Sequence, residues 1–134
     1  MAVGLPNEIG GTPQARDGKI KNEFPWGKQW PPPAVAGNYG IPQKRGATMP
    51  VGSFKANSVG VYDLGGNVWE WCADTYKGAS SASARDWGVL RGGSWATSKR
   101  LEMQSSYRNV IDRSDRDVIY GFRCVLAVET GENR

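Results

Sequence analysis

The sequence contains no histidine among its 134 residues. This absence excludes histidine general bases, Ser-His and Cys-His nucleophile pairs, and histidine-containing zinc sites. Cysteine is nearly as scarce, since only Cys72 and Cys124 occur. Two thiols cannot hold zinc unless carboxylates complete the site, which leaves two interpretations: a disulfide, or two buried free thiols. Histidine-dependent catalysis is therefore excluded, and the state of the cysteines is left open.

A strong charge of either sign is also missing. Lys and Arg number 17 and Asp and Glu 13, which gives a net charge of +4. Nucleic-acid-binding proteins usually carry a clustered basic stripe, and here both signs are interspersed, so we expect no nucleic-acid partner. No apolar run approaches the roughly 20 residues that span a bilayer, and Met1-Ala2-Val3 does not resemble the start of a signal peptide. We expect a soluble protein without a membrane span, in a compartment that the sequence does not identify.

The composition leaves little room for long helices. The chain has 18 Gly and 8 Pro, which interrupt regular helix. Many of them lie in residues 1–50, where Pro31-Pro32-Pro33 favours extended polyproline backbone. With 39% hydrophobic residues and no linker, the chain can bury the core of one domain. We therefore predict a single domain over residues 1–134, with irregular backbone in its first third.

Three segments have the apolar pattern of strands. Residues 68–72 run apolar, aromatic, acidic, aromatic, apolar, which predicts a strand buried on at least one face. Residues 87–95 predict a strand with a bulge or a close backbone approach at the glycines, and residues 121–128 predict a final strand. Small polar residues between the first two, at 77–86, predict a loop. Short strands separated by long irregular segments predict the α+β fold class.

Four segments with distinctive motifs follow one another in a fixed order. They are Phe24-Pro25-Trp26-Gly27; Pro50-Val51-Gly52-Ser53-Phe54 with Asn57 and Gly60-Val61-Tyr62-Asp63-Leu64-Gly65-Gly66-Asn67-Val68-Trp69-Glu70-Trp71; Val89-Leu90-Arg91-Gly92-Gly93-Ser94-Trp95; and Gly121-Phe122-Arg123-Cys124. This ordered set resembles the C-terminal half of the formylglycine-generating-enzyme (sulfatase-modifying factor) family, over about residues 24–128. Residues 1–23 match it poorly. The resemblance implies the family's variant of the C-type lectin fold, a small sheet with much irregular loop.

The resemblance to this family does not by itself imply catalysis. Its oxidases use a pair of cysteines, shortly after the Gly-Gly-Ser-aromatic motif, that bind copper. Here that stretch is residues 96–103, and no cysteine occurs between residues 73 and 123. Soft thiolates are the ligands that hold Cu(I), and the family's iron-dependent relatives need histidines, which are absent. We therefore expect no enzyme, no catalytic residue and no catalytic cofactor.

The sequence is also similar to the variable proteins of diversity-generating retroelements. In those proteins adenine-directed mutagenesis rewrites a segment between Gly-Gly-Ser-Trp and Gly-Phe-Arg, and a lectin-like scaffold displays the changes on one face. The matching region here is residues 87–126, in which residues 105–109 resemble the fixed frame. The resemblance predicts these displayed, ligand-binding positions: Ala96, Thr97, Ser98, Lys99, Arg100, Val110, Ile111, Arg113, Asp117, Val118, Ile119 and Tyr120. For residues 118–120, burial in the core is an equal alternative.

Calcium is the one metal that the resemblance implies. By position, its ligands would be the Asp63 side chain, the Gly66 and Val68 carbonyls, and the Glu70 side chain. Ca²⁺ takes about six to eight hard oxygen ligands, and glycine lets carbonyls turn inward. The alternative is that Glu70 pairs with an arginine such as Arg91 or Arg123. A second family calcium site is not expected, because residues 43–48 are basic.

Taken together, the residues and the resemblance favour a non-catalytic protein that binds a protein or cell-surface ligand. Such a protein could be displayed on a cell or virion surface. The alternatives are an oxidase relative of the same family and a calcium-dependent carbohydrate-binding lectin. We further expect Arg91, Arg108 and Arg123 to bind loop carbonyls. The tryptophans expected in the core are Trp26, Trp30, Trp69, Trp71 and Trp95, with Trp87 the most exposed.

Overall fold

The computed structural model describes residues 22–41, 45–76 and 87–126. Four strands form one sheet: β1 (Trp69–Tyr76), β2 (Trp87–Arg91), β3 (Asn109–Ile111) and β4 (Tyr120–Gly121). Within these ranges the helical structure is a short 3₁₀ helix, Leu101–Met103, so no described helix is long enough to cross a bilayer. The described part of the protein is therefore a small sheet with little helix, joined by long irregular segments.

The order of the strands in the sheet is β3-β2-β1-β4. β1 and β2 pair antiparallel with Trp71 opposite Leu90, and their register shifts between Trp71 and Thr75. β2 and β3 also pair antiparallel, whereas β4 lies parallel to β1 with Tyr120 opposite Trp69. This order places β3 and β4 at opposite edges of the sheet.

The first two predicted strands are present with different bounds. The strand predicted over residues 68–72 corresponds to β1, which continues to Tyr76. The strand predicted over residues 87–95 corresponds to β2 and ends at Arg91. The two glycines that follow have φ of 93° and 77°, so they turn the chain out of the sheet. The close backbone approach expected at these glycines is confirmed at Gly92, where a β-carbon would lie 3.0 Å from the Leu64 carbonyl oxygen. The register shift lies elsewhere, in the pairing of β1 with β2.

The third predicted strand, over residues 121–128, is wrong in its described part. Pairing is confined to Tyr120 and Gly121, and residues 122–126 form no ladder. The apolar side chains after Gly121 are largely exposed, so this apolar run is not the buried face of a strand. The end of the predicted strand and the predicted loop at 77–86 lie outside the described residues.

The core has two parts. One part joins the N-terminal loops to the 3₁₀ helix and contains Phe24, Tyr39 and Met103. The other part lies in the sheet and contains Trp69, Val89 and Leu90. In the first part the rings of Phe24 and Trp26 stack with their centroids 4.9 Å apart. Aromatic packing of this kind supplies buried apolar area where there is little regular secondary structure.

The expected tryptophan core is confirmed in full only for Trp69, which is 4% exposed. The other four are half-buried: Trp26, Trp30, Trp71 and Trp95. Trp87, expected to be the most exposed, is also half-buried because it lies in β2 opposite Tyr76. The indole rings therefore line the boundary between core and surface more often than they fill the interior.

The two cysteines are free in this structure. Cys72 is half-buried in β1 and Cys124 is exposed. Burial raises the pKa of the Cys72 thiol, which keeps it protonated and less nucleophilic. The structure therefore contains two free thiols and no disulfide between them. Of the two thiols expected to be buried, Cys72 is half-buried and Cys124 is not buried.

Tyr39 gives a test of this core. Its side chain is 1% exposed, and its hydroxyl has no hydrogen-bond partner in the described structure. Burial, and secondarily the charge of Asp63, raises its pKa well above the ordinary 10.0. An unfolded tyrosine ionises near pH 10.0 and the buried one does not, so stability is lost as the pH rises above that value.

We expect Tyr39→Phe to keep or increase the free energy of unfolding at neutral pH, and to reduce the loss of stability above pH 10.0. Urea unfolding followed by tryptophan fluorescence measures both. Tyr62→Phe, at a half-exposed position, is the control and should change neither. A loss of more than about 1 kcal/mol at neutral pH in Tyr39→Phe would show that the hydroxyl has a stabilising partner.

Candidate functional site

The chain after β2 forms a loop that side-chain hydrogen bonds hold in place. Ser94 is fully buried, and its Oγ accepts a hydrogen bond from the Ala96 N–H at 3.2 Å. The Ser94 N–H donates to Thr97 Oγ1 at 2.9 Å. The Gly40 N–H donates to the Thr97 carbonyl at 2.8 Å, which ties the loop to the N-terminal part of the chain. The backbone of this loop is therefore fixed from within.

Thr97 is a correction to the predicted displayed positions. Its side chain is only 5% exposed, and its hydroxyl is the acceptor for Ser94. A hydroxyl that satisfies a buried N–H is part of the scaffold, because its loss leaves that donor without a partner. No local pattern predicts this inward turn, since Thr97 lies between two other small residues, Ala96 and Ser98.

The neighbours of Thr97 in the predicted set are exposed: Ala96, Ser98, Lys99 and Arg100. The Arg100 guanidinium lies over the rings of Phe24 and Trp30, at 5.9 and 5.4 Å from their centroids. It also donates to Asn22 Oδ1 at 3.1 Å. This end of the predicted surface is therefore continuous with the turn around Phe24.

The remaining predicted positions lie on the sheet and on the segment before β4. Val110 and Ile111 are in β3, whereas Tyr120 is in β4. The two edges are three strand spacings apart, roughly 14 Å. The connecting segment exposes Arg113, Asp117 and Val118, and leaves Ile119 and Tyr120 half-buried. The predicted positions thus form separate groups, and the core alternative fails for Val118, which is 78% exposed.

Arg91 and Arg108 are two of the three arginines that were expected to bind loop carbonyls. Arg91 Nη1 donates to the carbonyls of Ser105 and Tyr107 at 3.0 and 3.2 Å, as expected. Arg108 is buried and places its guanidinium over the Tyr76 ring, 5.3 Å from the centroid. Its terminal nitrogens have no hydrogen-bond partner in the described ranges, so the expected carbonyl contacts of Arg108 are wrong.

Arg123 collects oxygen atoms from two parts of the chain. Its Nε donates to Glu70 Oε2 at 2.7 Å, and its Nη2 contacts the other oxygen of that carboxylate. Its Nη1 and Nη2 also donate to the carbonyls of Tyr62 and Asp63 at 3.0 and 2.7 Å. The hydrogen bond to Glu70 is the main cause of a raised pKa for Arg123. This Arg123 clamp fixes the chain after β4 to β1 and to the loop before it.

The four predicted calcium ligands line one cavity of about 460 Å³, which Arg123 also lines. They are Asp63, Gly66, Val68 and Glu70. Both carboxylate oxygens of Glu70 bind Arg123, however, and Asp63 Oδ2 accepts the Gly52 N–H at 2.6 Å. The carboxylate of Glu70 is thus paired with Arg123, as the alternative interpretation predicts, and calcium binding stays a prediction.

A pair of buried asparagines supports the same region and was missed by the sequence analysis. Asn67 Oδ1 accepts hydrogen bonds from the Met49 N–H at 2.8 Å and from Asn38 Nδ2 at 3.3 Å. Its Nδ2 donates to the Met49 carbonyl at 3.1 Å. Asn67 has φ of 65°, a conformation that asparagine tolerates well, so its place after two glycines was a usable signal. Asn38 had no such signal.

Comparison with known proteins gives a family match. The model described as "Sulfatase-modifying factor enzyme 1-like domain" matches residues 3–128, including the segment before residue 24 in which we found no motif. The Mus musculus protein "Inactive C-alpha-formylglycine-generating enzyme 2" is 34% identical, over 90% of this chain and 42% of its own length. The Mus musculus "Formylglycine-generating enzyme" is 30% identical, over 90% and 38%.

A solved structure also matches. It is "Treponema denticola variable protein 1", with a TM-score of 0.64 and 27% sequence identity, over 81% of this chain and 42% of that chain. The likeness therefore extends over most of the present chain. The chain spans less than half the length of this neighbour and of both mouse relatives.

The Arg123 clamp makes a prediction about metal dependence. We expect neither calcium nor a chelator to change the thermal unfolding midpoint of the protein, because a guanidinium already neutralises Glu70. Arg123→Gln should lower the midpoint, since it leaves a carboxylate and two carbonyls without their donor. Differential scanning calorimetry measures both effects.

Arg116→Gln is the matched control, because Arg116 Nη1 binds only nearby backbone carbonyls and the residue is exposed. Its midpoint should stay close to that of the unmodified protein. A rise of the unmodified protein's midpoint with added calcium would contradict the prediction, because a ligand that binds the native state stabilises it.

Proposed function

Because the chain belongs to the sulfatase-modifying factor enzyme 1-like family, we propose that it is a non-catalytic member that binds ligands through a variable surface. The proposed scaffold is a single α+β domain with the C-type lectin fold in the variant of this family. The small sheet and the long ordered loops support that assignment. A sheet with loops that side chains hold in place can change its exposed residues while its core stays the same.

The absence of the reactive side chains supports a non-catalytic role. The segment after Gly-Gly-Ser-Trp, where oxidases of the family have their cysteine pair, contains Thr97 and no cysteine. Cys72 and Cys124 lie on β1 and after β4, and the chain has no histidine. Both an enzyme and a protein named as inactive are among the relatives, so sequence identity does not separate the two roles. The missing thiols favour the non-catalytic one.

The observation that carries the proposal is the structural likeness to a variable protein, combined with the exposure of the matching segment. The exposed positions of residues 96–100 stand on a loop whose backbone is fixed by Ser94 and Thr97. Exposed side chains on a fixed backbone are the arrangement that a replaceable recognition surface needs. We propose that a diversity-generating retroelement supplies the replacements.

The proposed partner is a protein or another cell-surface molecule. The exposed set mixes basic, acidic and aliphatic side chains, and the half-buried Tyr120 adds an aromatic one, which suits protein recognition better than binding to a polyanion. No nucleic-acid partner and no membrane span form part of the proposal. Display on a cell or virion surface is consistent with such a role.

An oxidase role within the same family is the alternative, favoured by the formylglycine-generating enzymes among the relatives. Oxygen consumption by the copper-loaded protein with a cysteine-containing peptide would support it. A calcium-dependent lectin is a weaker alternative, because Arg123 occupies the carboxylate of Glu70. Glycan binding that a chelator abolishes would support that role.

The DNA around the gene tests the proposed diversification. We expect a near-copy of the DNA that encodes residues 87–126, with adenines at the positions of mismatch, beside a reverse-transcriptase gene. Sequencing of the locus in several isolates measures the variation directly. A locus with neither the copy nor the reverse transcriptase would contradict diversification and would leave the assignment of the family intact.

The scaffold should tolerate replacement of exposed positions in the matching segment. We expect simultaneous substitution of Ala96, Lys99, Val110 and Val118 by serine to change the free energy of unfolding by less than about 1 kcal/mol. Thr97→Val is the control at a buried neighbour and should cost about 1–3 kcal/mol, because the Ser94 N–H loses its acceptor. Urea unfolding measures both, and a collapse of the quadruple variant would place those side chains in the interior.

A further inference from the structure

One row of residues crosses all four strands on the same face of the sheet. Side chains of directly paired residues, and of residues two apart in a strand, share a face. Trp71 shares a face with its partner Leu90, and therefore with Gly88. Gly88 pairs with Ile111, and Tyr120 pairs with Trp69, two residues before Trp71. The row is therefore Tyr120, Trp71, Gly88 and Ile111, in the order β4, β1, β2, β3.

Trp71 lies at the centre of this row. The β-carbon that any other residue would add at position 88 would overlap the Trp71 ring, so the indole covers the glycine. The Tyr120 ring meets Trp71 edge-on, with centroids 6.0 Å apart and planes at 78°. The contact with Gly88 restricts the rotamers of Trp71, so an incoming ligand would find the ring already oriented.

Buried and partly exposed residues lie side by side on this face. Leu90 is fully buried and Trp69 nearly so, whereas Trp71, Ile111 and Tyr120 keep part of their surface exposed. Two of these three, Ile111 and Tyr120, belong to the predicted variable set, and Trp71 lies between them outside the variable segment. A fixed aromatic residue is thus flanked by replaceable ones.

The charge beside the row is negative. Asp117 lies in the turn just before β4, where its Oδ1 accepts the Ile119 N–H at 3.1 Å and its carbonyl accepts the Tyr120 N–H at 3.1 Å. Partial burial, and then the charges of Asp117 and Asp115, raise the pKa of Tyr120. The segment 112–117 also contains Arg113 and Arg116, so three aspartates against two arginines leave it with one net negative charge. An aromatic face bordered by two carboxylates is complementary to a lysine or arginine side chain, which gains both a cation–π contact and an ion pair.

We propose that Trp71 is a fixed anchor of the ligand-binding surface, and that it receives a lysine or arginine side chain of a protein ligand. The inference deepens the proposed function and rests on it. Trp71 supplies affinity that every variant shares, because buried indoles dominate the energetics of protein interfaces. Ile111, Tyr120 and their neighbours then determine which protein surfaces can bring a basic side chain to the ring.

The test is a selection experiment with the full chain. A library with Ile111, Val118 and Tyr120 randomised, and with Asp115 and Asp117 unchanged, is displayed on phage. It is selected in parallel against lysozyme, which is basic, and α-lactalbumin, which is acidic. We expect more binders against lysozyme. Each purified binder is then tested with Trp71→Ala, and the affinity should fall by about tenfold or more.

Two further variants separate binding from folding. Trp71→Leu keeps apolar bulk over Gly88 but removes the π face, so it should weaken the lysozyme binders in a protein that still unfolds cooperatively. Trp87→Ala is the matched control, because Trp87 is a half-buried tryptophan that precedes Gly88 and points to the opposite face of the sheet. It should leave the affinity within about twofold, well inside the tenfold change expected at Trp71.

The outcomes distinguish this inference from the proposed function. Binders that tolerate both Trp71→Ala and Trp71→Leu would overturn the anchor and leave the variable surface standing. An equal yield of binders against α-lactalbumin would overturn the preference for a basic side chain. Recovery of no binder against either protein would overturn the proposed function and the anchor together.

Discussion

Hydrogen bonds from long side chains to loop backbone hold this structure together, where a larger sheet would rely on strand pairing. The ladders are short and most of the described chain is irregular, so buried carbonyl and N–H groups need other partners. Arg123 binds two carbonyls of the loop before β1, Arg91 binds two carbonyls of the segment before β3, and Asn67 binds both backbone groups of Met49. Because each such side chain fixes a loop from inside, the exposed residues of that loop are not needed to hold its backbone in place.

Local patterns in the sequence were enough to predict the features that depend on neighbours in the chain. The pattern of aromatic and apolar residues predicted β1 and β2, and the donor chemistry of arginine predicted the carbonyl contacts of Arg91 and Arg123. Thr97 and the segment after Gly121 could not be predicted, because their burial depends on which distant backbone they meet. Thr97 bonds to Ser94 and to the loop at Gly40, whereas the apolar segment after Gly121 pairs with no strand in the described residues.

The choice at Glu70 shows why a motif alone did not settle the candidate site. Its position was compatible with a metal ligand and with an ion pair, and both need the same carboxylate. The deciding group, Arg123, follows it by more than fifty positions and reaches it only because β4 lies parallel to β1. The Glu70 carboxylate is therefore paired with a cation that belongs to the chain itself.

The packing of Trp71 against Gly88 has a consequence at the level of the genetic code. All glycine codons begin with two guanines, and their third base is synonymous, so mutagenesis directed at adenine cannot convert glycine into another residue. The tryptophan codon contains no adenine at all. Gly88 and the later glycine turn at residues 92 and 93 therefore lie inside the region proposed for diversification and are still immune to it. The positions that could least tolerate a side chain are therefore encoded by codons in which a change at adenine does not alter the amino acid.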